Sequence, residues 1–264
     1  MKEIRNIVLL GSGNVASHLA IAFCNSGVKI IQIYSRKLEH AKELAEKVNS
    51  NFTSDLSELP DNADLFLFAV TDSAILPILK NSKLQDKLLV HTAGSVPAAI
   101  FKDFTNRYGV IYPFQTFTKG IDINISECPF FIEADSEPTI QILESFVNKF
   151  SKNVKVINFE QRLILHLSGV FTSNFSNNLL AIATELLNKN GFSIEVLKPL
   201  LEETYRKAFQ IGATDAQTGP AIRNNREIIQ KHIAMLSSEP DWQKIYTFMS
   251  ESIARYHKTI HEKL

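Results

Sequence analysis

The sequence has little that would direct the chain toward a disulfide-bonded, metal-binding or membrane-spanning class of protein. Its 264 residues include two cysteines, and the spacing of Cys24 and Cys128 matches no metal site, so both are more typical of packing residues. No run of about eighteen apolar residues is present, and the N-terminus enters a strand pattern without the apolar core of a signal peptide. We therefore expect a cytoplasmic protein with no metal, no disulfide bond and no membrane partner.

An excess of charge of one sign is also missing. The 28 Lys and Arg residues balance the 28 Asp and Glu residues, which excludes the electrostatic footprint of a nucleic-acid or anionic-membrane partner. The length allows one to two domains and a substantial core. The expected partner is therefore a small-molecule substrate rather than nucleic acid.

The most informative stretch is the first apolar run, which glycines interrupt before it resumes at helical spacing. The pattern predicts a strand at residues 7–10, a tight turn and a helix. Gly11 suits the sharp turn, Gly13 lets the backbone approach a pyrophosphate, and Ala16 is small enough for close packing of helix on strand. Free N–H groups at the helix start attract an anion. The predicted dinucleotide contacts here are Gly11, Ser12, Gly13, Asn14 and Val15.

The residues after the next predicted strand, 28–34, indicate which dinucleotide is preferred. An acidic side chain there would accept from the ribose 2′-hydroxyl, but the chain has Ser35, Arg36 and Lys37. Arg36 can hold a 2′-phosphate through two hydrogen bonds, with Ser35 as a further donor. We therefore predict NADP as the cofactor, with Ser35 and Arg36 in contact with it. The alternative is a basic helix start on the surface with Ser35 as its N-cap.

Strand and helix patterns continue to alternate, which implies a right-handed parallel sheet with ligands at the carboxyl ends of its strands. Strands are predicted at 51–55, 64–70 and 88–91, and helices at 38–48 and 74–79. Residues 69–73 and 91–95 should then share one edge with the glycine turn and face the nicotinamide half of the cofactor. The predicted contacts from these segments are Val70, Thr71, Thr92 and Ala93.

The second half of the chain has a different character. A brief strand at 110 leaves the sheet near Pro113 and is followed by a strand at 129–134, a helix at 138–150 and a strand at 154–157. Four long helices are then predicted, at 161–187, 194–211, 220–236 and 241–262. The predicted fold is α/β, with a Rossmann-type parallel-sheet domain at 1–155 and an all-helical domain at 156–264 for substrate binding and dimerisation.

A polar stripe on the first long helix is the main candidate for chemistry. His166, Ser173, Asn174 and Asn177 recur at spacings that place them near one face of an α-helix. If that face meets the nicotinamide, His166 could exchange a proton with the heteroatom beside the hydride-accepting carbon. We predict His166 and Asn174 as catalytic and Ser173 as substrate-binding. The alternative is a hydrogen-bonded helix contact or a dimer seam.

A second candidate precedes the helix predicted at residue 220. Thr218 can cap a helix that begins with Pro220, and the exposed amides of such a helix would attract an anion. Arg223, one turn further, could clamp a substrate carboxylate. Thr218 and Arg223 are therefore predicted to bind substrate, and the alternative is a well-formed helix start with a surface arginine.

Taken with these motifs, the whole chain resembles a family of Rossmann-like NADP-dependent oxidoreductases with an uncharacterised helical C-terminal half. This family is related to pyrroline-5-carboxylate reductase and 6-phosphogluconate-dehydrogenase-like enzymes. The matching stretches are residues 11–16, 34–36, 91–95, 112–117, 166–174 and 218–221. Members usually carry a histidine where this chain has Tyr112. The resemblance implies hydride transfer to an imine or ketone and dimers formed through the helical domain.

Two functions follow from the sequence. The first is an NADP-dependent oxidoreductase that transfers hydride to a small, carboxylate-bearing imine or carbonyl compound. The alternative is a non-catalytic NADP(H)-binding regulator or sensor, because no lysine lies on the His166 face of the helix to act as an acid–base group. Under either function a homodimer is expected, since apolar side chains surround the polar stripe. They are Phe171, Phe175, Leu179 and Leu180.

Overall fold

The chain divides into two compact units, Met1–Asn174 and Phe175–Leu264. The computed structural model describes residues 3–261 of them. The first unit, called the sheet unit below, contains an eight-stranded sheet, and the described part of the second, the helical unit, contains helices without strands. This confirms the predicted fold class. The predicted domain boundary near residue 155 stays a prediction, and the division between the two compact units falls after Asn174, inside the helix predicted at 161–187.

The sheet unit alternates strands and helices, and its strand order is β3-β2-β1-β4-β5-β6-β7-β8. Its strands are β1 (Asn6–Leu10), β2 (Lys29–Tyr34), β3 (Asn51–Thr53), β4 (Leu65–Phe68), β5 (Leu89–His91), β6 (Tyr108–Pro113), β7 (Phe130–Ala134) and β8 (Val154–Val156). Its helices are α1 (Asn14–Asn25), α2 (Leu38–Val48), α3 (Asp72–Lys80), α4 (Glu137–Val147) and α5 (Phe159–Gly169).

The central strands are apolar because helices cover both faces of the sheet. Alternate residues of β1 divide between two cores, since successive side chains of a strand point to opposite faces. Ile7 and Leu9 pack with α1, α2 and α4 in one core, whereas Val8 and Leu10 pack with α3 in the other. The strand thus lies at the centre of the unit and positions the glycine turn that follows it.

The sheet is not parallel throughout, which corrects the sequence prediction. β7 runs antiparallel to β6, whereas the other neighbouring strands pair in parallel. A parallel return needs a crossover, usually a helix, and residues 114–129 supply only a short 3₁₀ turn at Ile125–Glu127. The prediction that the chain leaves the sheet at Pro113 is confirmed, because β6 ends there.

The helices after α5 differ in two places from those predicted. A π-helical segment, Val170–Phe175, separates α5 from α6 (Ser176–Asn188), so the predicted helix 161–187 is not a single α-helix. The helical unit continues with α7 (Lys198–Ile211), α8 (Arg226–Met235) and α9 (Pro240–His261). The helix predicted from residue 220 therefore begins six residues later. The predicted end of the last helix, Glu262, lies outside the described residues. Within residues 3–261, no helix combines the length and the apolar character needed to cross a membrane.

Candidate dinucleotide groove and adjacent active site

A groove of about 660 Å³ lies at the carboxyl ends of β1, β2, β4 and β5. These strands are parallel, so the turns that follow them meet at one edge of the sheet. Ten of the eleven residues predicted to contact the cofactor line this groove. They are Gly11, Ser12, Gly13, Asn14, Val15, Ser35, Arg36, Val70, Thr71 and Thr92.

Glycine is suited to the two positions of the turn for different physical reasons. Gly11 has a φ of 121°, and a Cβ on it would lie 2.2 Å from the carbonyl oxygen of Ala69, so the fold itself requires glycine there. A Cβ on Gly13 would have no atom within 4 Å. The fold therefore leaves open the space above Gly13 in which a bound group can approach the backbone.

The start of α1 is suited to a negatively charged group. Gly13 is the N-cap, no side chain caps the helix, and its first turn contains no acidic residue. The first N–H groups of a helix lack intrahelical partners and lie at the positive end of the helix dipole. An uncapped N-terminus beside an open glycine fits a pyrophosphate.

The end of β2 closes the groove on the ribose side. The hydroxyl of Ser12 donates to the hydroxyl of Ser35 at 3.0 Å, which joins the glycine turn to β2. Arg36 lines the groove with an exposed side chain, free to meet a phosphate. The alternative in which Ser35 caps the next helix is wrong, because Lys37 occupies the N-cap position of α2.

The sequence analysis missed the wall of the groove that α3 and the residues after β3 form. α3 begins after Thr71, its N-cap, and places small and apolar residues beside the glycine turn. Periodicity identifies the apolar face of α3 but does not show which edge of that face borders the groove. Ala69 and Ser73, which also line the groove, belong to the edge predicted at residues 69–73. The lining residues that were not predicted are Leu56, Ala74, Pro77, Ile78 and Asn81, together with Tyr34 at the end of β2.

Ala93 is the one predicted cofactor contact that the structure does not bring to the groove. Its N–H donates to Nδ1 of His91 at 3.1 Å, and its carbonyl accepts from Arg162 at 2.6 Å. Both backbone groups are therefore engaged inside the fold. The preceding residue, Thr92, lines the groove instead.

His166 lies on α5 beside the loop that follows β5. Its side chain is half-buried, and its Nδ1 lies 3.1 Å from the hydroxyl of Tyr112 on β6. The ring packs directly on the loop, since a Cβ on Gly94 would lie 2.5 Å from the same Nδ1. The ring therefore packs on Gly94, which is two residues along the chain from Thr92, a residue that lines the groove.

Tyr112 and His166 form a pair that can hold and pass a proton. Burial raises the pKa of the Tyr112 phenol, and the nearby Arg162 charge opposes part of that rise. The phenol therefore keeps its proton at neutral pH, and an imidazole in contact with it can accept or donate a proton. This pairing could not be predicted from local spacing, because 54 positions separate the two residues.

The predicted polar stripe does not continue as one face. Residues 170–175 are π-helical, and the wider turn of i→i+5 bonds shifts the phase of all later residues. The spacing of eleven between His166 and Asn177 therefore no longer implies a shared face. Ser173, half-buried, and Asn174, exposed, both lie within the π segment. Such segments occur frequently at functional sites, and the roles predicted for these two residues stay predictions.

The predicted anion site at Thr218 is wrong in its helical part. α8 begins at Arg226, with the Asn225 side chain accepting from the N–H of Ile228 at 3.2 Å. Asn224 has a φ of 50°, a left-handed conformation that stops helix propagation before it. Thr218 lines an apolar groove of about 290 Å³ within the helical unit, and Arg223 is exposed.

Metal and thiol chemistry have no visible site in the described part of the chain. No group of three or more His, Cys, Asp or Glu side chains there is arranged to hold a metal ion. Both cysteines are free. Burial raises the pKa of the Cys128 thiol to about 11, which leaves it unreactive at neutral pH.

Comparison with known proteins places the chain among NADP oxidoreductases. Residues 6–94 match the family described as NADP oxidoreductase coenzyme F420-dependent, and residues 128–253 match a domain of unknown function, DUF2520. A Bacteroides fragilis protein proposed to be an NADP oxidoreductase is 40% identical, with a TM-score of 0.90 over 96% of this chain and 98% of that chain. This chain belongs to the same family, whose cofactor is NADP.

More distant solved structures share the fold. A reductive aminase from Aspergillus terreus, solved with NADPH and ethyl levulinate, is 14% identical with a TM-score of 0.70 over 97% of this chain and 95% of that chain. A 1-pyrroline-5-carboxylate reductase from Streptococcus pyogenes is 13% identical with a TM-score of 0.62 over 95% of this chain and 98% of that chain. The resemblance to reductases of this fold is thereby confirmed.

One curated relative is longer than this chain. The glutamyl-tRNA reductase of Sulfolobus acidocaldarius is 25% identical over 205 residues, which are 75% of this chain and 48% of that protein. The chain therefore spans about half the length of the curated relative that it matches.

Proposed function

We propose that the protein is a reductase that uses NADPH to reduce a small, carboxylate-bearing imine or carbonyl compound. The observation that carries the proposal is the groove of the sheet unit, in which an open glycine, an uncapped helix and an exposed arginine meet. Each of these features fits one part of NADP and none of them is needed to complete the fold.

Different residues of the groove would bind different parts of NADP. The first N–H groups of α1 would hold the pyrophosphate. Arg36 would hold the 2′-phosphate through charge-assisted hydrogen bonds, with Ser35 as a second donor. When bound, the cofactor supplies the hydride, and the protein supplies orientation and a water-poor environment.

The pair of His166 and Tyr112 would supply the proton that accompanies the hydride. If the Tyr112 hydroxyl donates to Nδ1, the other ring nitrogen of His166 carries a proton. As that proton passes to a substrate heteroatom, the phenol proton would pass to Nδ1, so the ring stays neutral and the phenolate that is left takes its proton back from water. The loop that holds this ring also leads to Thr92 at the edge of the groove. This arrangement supports a proton source near the end of the dinucleotide site.

The proposed substrate class is argued from an exposed arginine and from the names of distant relatives. The helix start predicted at residue 220 is not available to bind an anion, because α8 begins at Arg226. Arg223 is an exposed side chain in the helical unit and is therefore the group proposed to bind a carboxylate. Imines and carbonyl compounds are proposed because distant relatives of this fold are named reductive aminase and pyrroline-5-carboxylate reductase. Ser173 and Asn174, in the π segment, are proposed to orient the substrate.

Turnover of NADPH tests the proposal against a non-catalytic sensor. NADPH oxidation is followed with a panel of cyclic imino acids, keto acids with amines, and simple ketones. Steady oxidation with at least one compound, absent in Gly13→Val, is expected because the added side chain fills the space that the pyrophosphate needs. Tight NADPH binding without turnover across the panel would contradict the reductase and favour the sensor.

A further inference from the structure

A buried arginine connects the loop after β5 to the helix that carries His166. Arg162 lies on α5, one turn before His166, and its side chain is 0% exposed. Its guanidinium donates to the carbonyl oxygens of Ala93 at 2.6 Å and Val96 at 2.7 Å. The two carbonyls belong to the loop on which the His166 ring packs.

A carboxylate on β7 completes the arrangement. Glu133 accepts from Arg162 at 2.9 and 3.2 Å, and its other oxygen accepts from the N–H of Ala98 at 3.2 Å. The same carboxylate thus holds both the arginine and the far end of the loop. The guanidinium also lies over the ring of Phe159, 5.3 Å from its centre.

The stability of the fold alone does not explain why an arginine is buried at position 162. Burying an ion pair costs desolvation that its attraction often fails to repay, and an apolar side chain of similar volume is frequently as stabilising. A guanidinium differs from an apolar side chain because its planar set of N–H donors can hold several acceptors in fixed relative positions. Here those acceptors are the loop beside His166 and the carboxylate on β7.

We propose that Arg162 is a positioning residue: it holds the loop of residues 93–96 against α5 so that His166 and Tyr112 stay in register with the end of the groove. This inference rests on the proposed function, because it assigns the proton source to that pair. Arg162 also acts through its charge, which opposes the rise in the pKa of the Tyr112 phenol and helps keep His91 neutral.

The test compares Arg162→Met with Arg162→Lys. Both variants lose the fork that reaches two carbonyls and a carboxylate, but lysine keeps the charge. The turnover number should fall about 100-fold in both, the scale of a catalytic group misplaced by about 1 Å, with NADPH affinity unchanged. The phenol pKa of Tyr112, isolated by subtracting the titration of Tyr112→Phe, should rise in Arg162→Met and rise less in Arg162→Lys. Arg5→Met, an exposed arginine, is the matched control.

The titration needs no substrate, so it separates this inference from the proposed function. An unchanged Tyr112 pKa in Arg162→Met, or a lower melting temperature with unchanged turnover, would leave the arginine a purely structural role and overturn the proposal. If Arg162→Met does not fold, Glu133→Gln decides instead. It keeps an oxygen that can accept from Arg162 but lacks the negative charge. Reduced turnover at normal NADPH affinity supports the proposal, and unchanged turnover overturns it.

Discussion

The two units differ in how completely they bury their apolar side chains. In the sheet unit, Ile7, Val8 and Phe66 are 0% exposed and belong to two continuous cores. Among the described residues of the helical unit, only Ala221, Leu236 and His257 are buried. The sheet unit thus closes its own cores, whereas the helices of the second unit leave apolar surface without a cover in the single chain.

The uncovered surface of the helical unit includes large side chains. Phe209 is 90% exposed, Met235 is 71% exposed, and Phe248 and Leu200 are each 63% exposed. Monomeric proteins rarely present extended apolar surface of this kind to water. We propose that a second copy of the chain covers it in a homodimer. Under this proposal the two units have different tasks, with cofactor binding in the sheet unit and assembly and substrate contacts in the helical unit.

The sharpest test of this division is the chemistry assigned to the sheet unit. His166→Gln should lower the maximal rate by ~10²–10⁴-fold, the usual worth of general acid–base help. NADP affinity should not change, because the ring lies outside the set of residues lining the groove. Steady-state kinetics and cofactor titration measure the two effects. His40→Gln, an exposed histidine on α2, should leave both unchanged, and a full rate in His166→Gln would remove the ring from the mechanism.

The proposed role of the helical unit in dimer formation can be tested by removing its exposed aromatic rings. Replacing Phe209 and Phe248 by serine should raise the dimer dissociation constant by about 10- to 100-fold for each ring, from roughly 1.5–3 kcal/mol of lost burial. Light scattering over a concentration series measures the change. Ile121→Ser, at a side chain of the sheet unit that is 61% exposed, is the control without effect. A monomeric wild-type protein at micromolar concentration would contradict the dimer.

A smaller effect is expected from the substrate clamp in the helical unit. Arg223→Met should raise the Michaelis constant by roughly 10- to 100-fold, since a charge-assisted hydrogen bond is worth about 1.5–3 kcal/mol. The turnover number should stay near its original value, because a clamp binds ground state and transition state alike. Arg226→Met, three residues along at the start of α8, is the control. The opposite pattern, with a lower turnover number at constant Michaelis constant, would argue against a clamp.

A pH-dependent effect on stability concerns His91 beneath the loop after β5. Burial, and then the charge of Arg162, lowers the pKa of His91 from 6.5 to about 3. The unfolded chain takes up this proton as the pH falls below 6.5, but the folded chain does not until about pH 3. The stability contribution is therefore full above pH 6.5 and is lost toward pH 3, at about 1.4 kcal/mol per unit.

His91→Asn isolates this contribution. The amide oxygen can still accept from the N–H of Ala93, but the titration is gone. Urea unfolding across the pH window should show a flatter decline in the free energy of unfolding than for the wild type. Equal slopes for the two proteins would mean that His91 is not held neutral by the fold.

The sequence predicted which residues meet in the groove because its signals are local. Gly11, Gly13 and Arg36 each follow a strand, and parallel strands end at one edge, so the pattern alone brings them together. The predicted start of α8 was wrong for a reason that is also local, since both Thr218 and Asn225 are residue types that favour the N-cap position. The conformation of Asn224, which residue type alone does not set, decides in favour of the second.

The residues around His166 could not be predicted in the same way. The contact between Tyr112 and His166 spans 54 positions, and that between Glu133 and Arg162 spans 29. No spacing rule connects residues on β6, β7 and α5. An arginine on a helix is usually a surface residue, so the burial of Arg162 became visible only once the fold brought acceptors to it. One of these acceptors is Glu133, which lies on β7, the strand that pairs antiparallel to β6.

The central claim is that the groove of the sheet unit binds NADP through its 2′-phosphate. Calorimetric titration of NADP⁺ and NAD⁺ into the wild type and Arg36→Asp tests it most directly. Arg36→Asp should lose roughly 1.5–3 kcal/mol of NADP⁺ binding free energy, the scale of lost charge-assisted hydrogen bonds, with little change for NAD⁺. Equal losses for the two cofactors would contradict it.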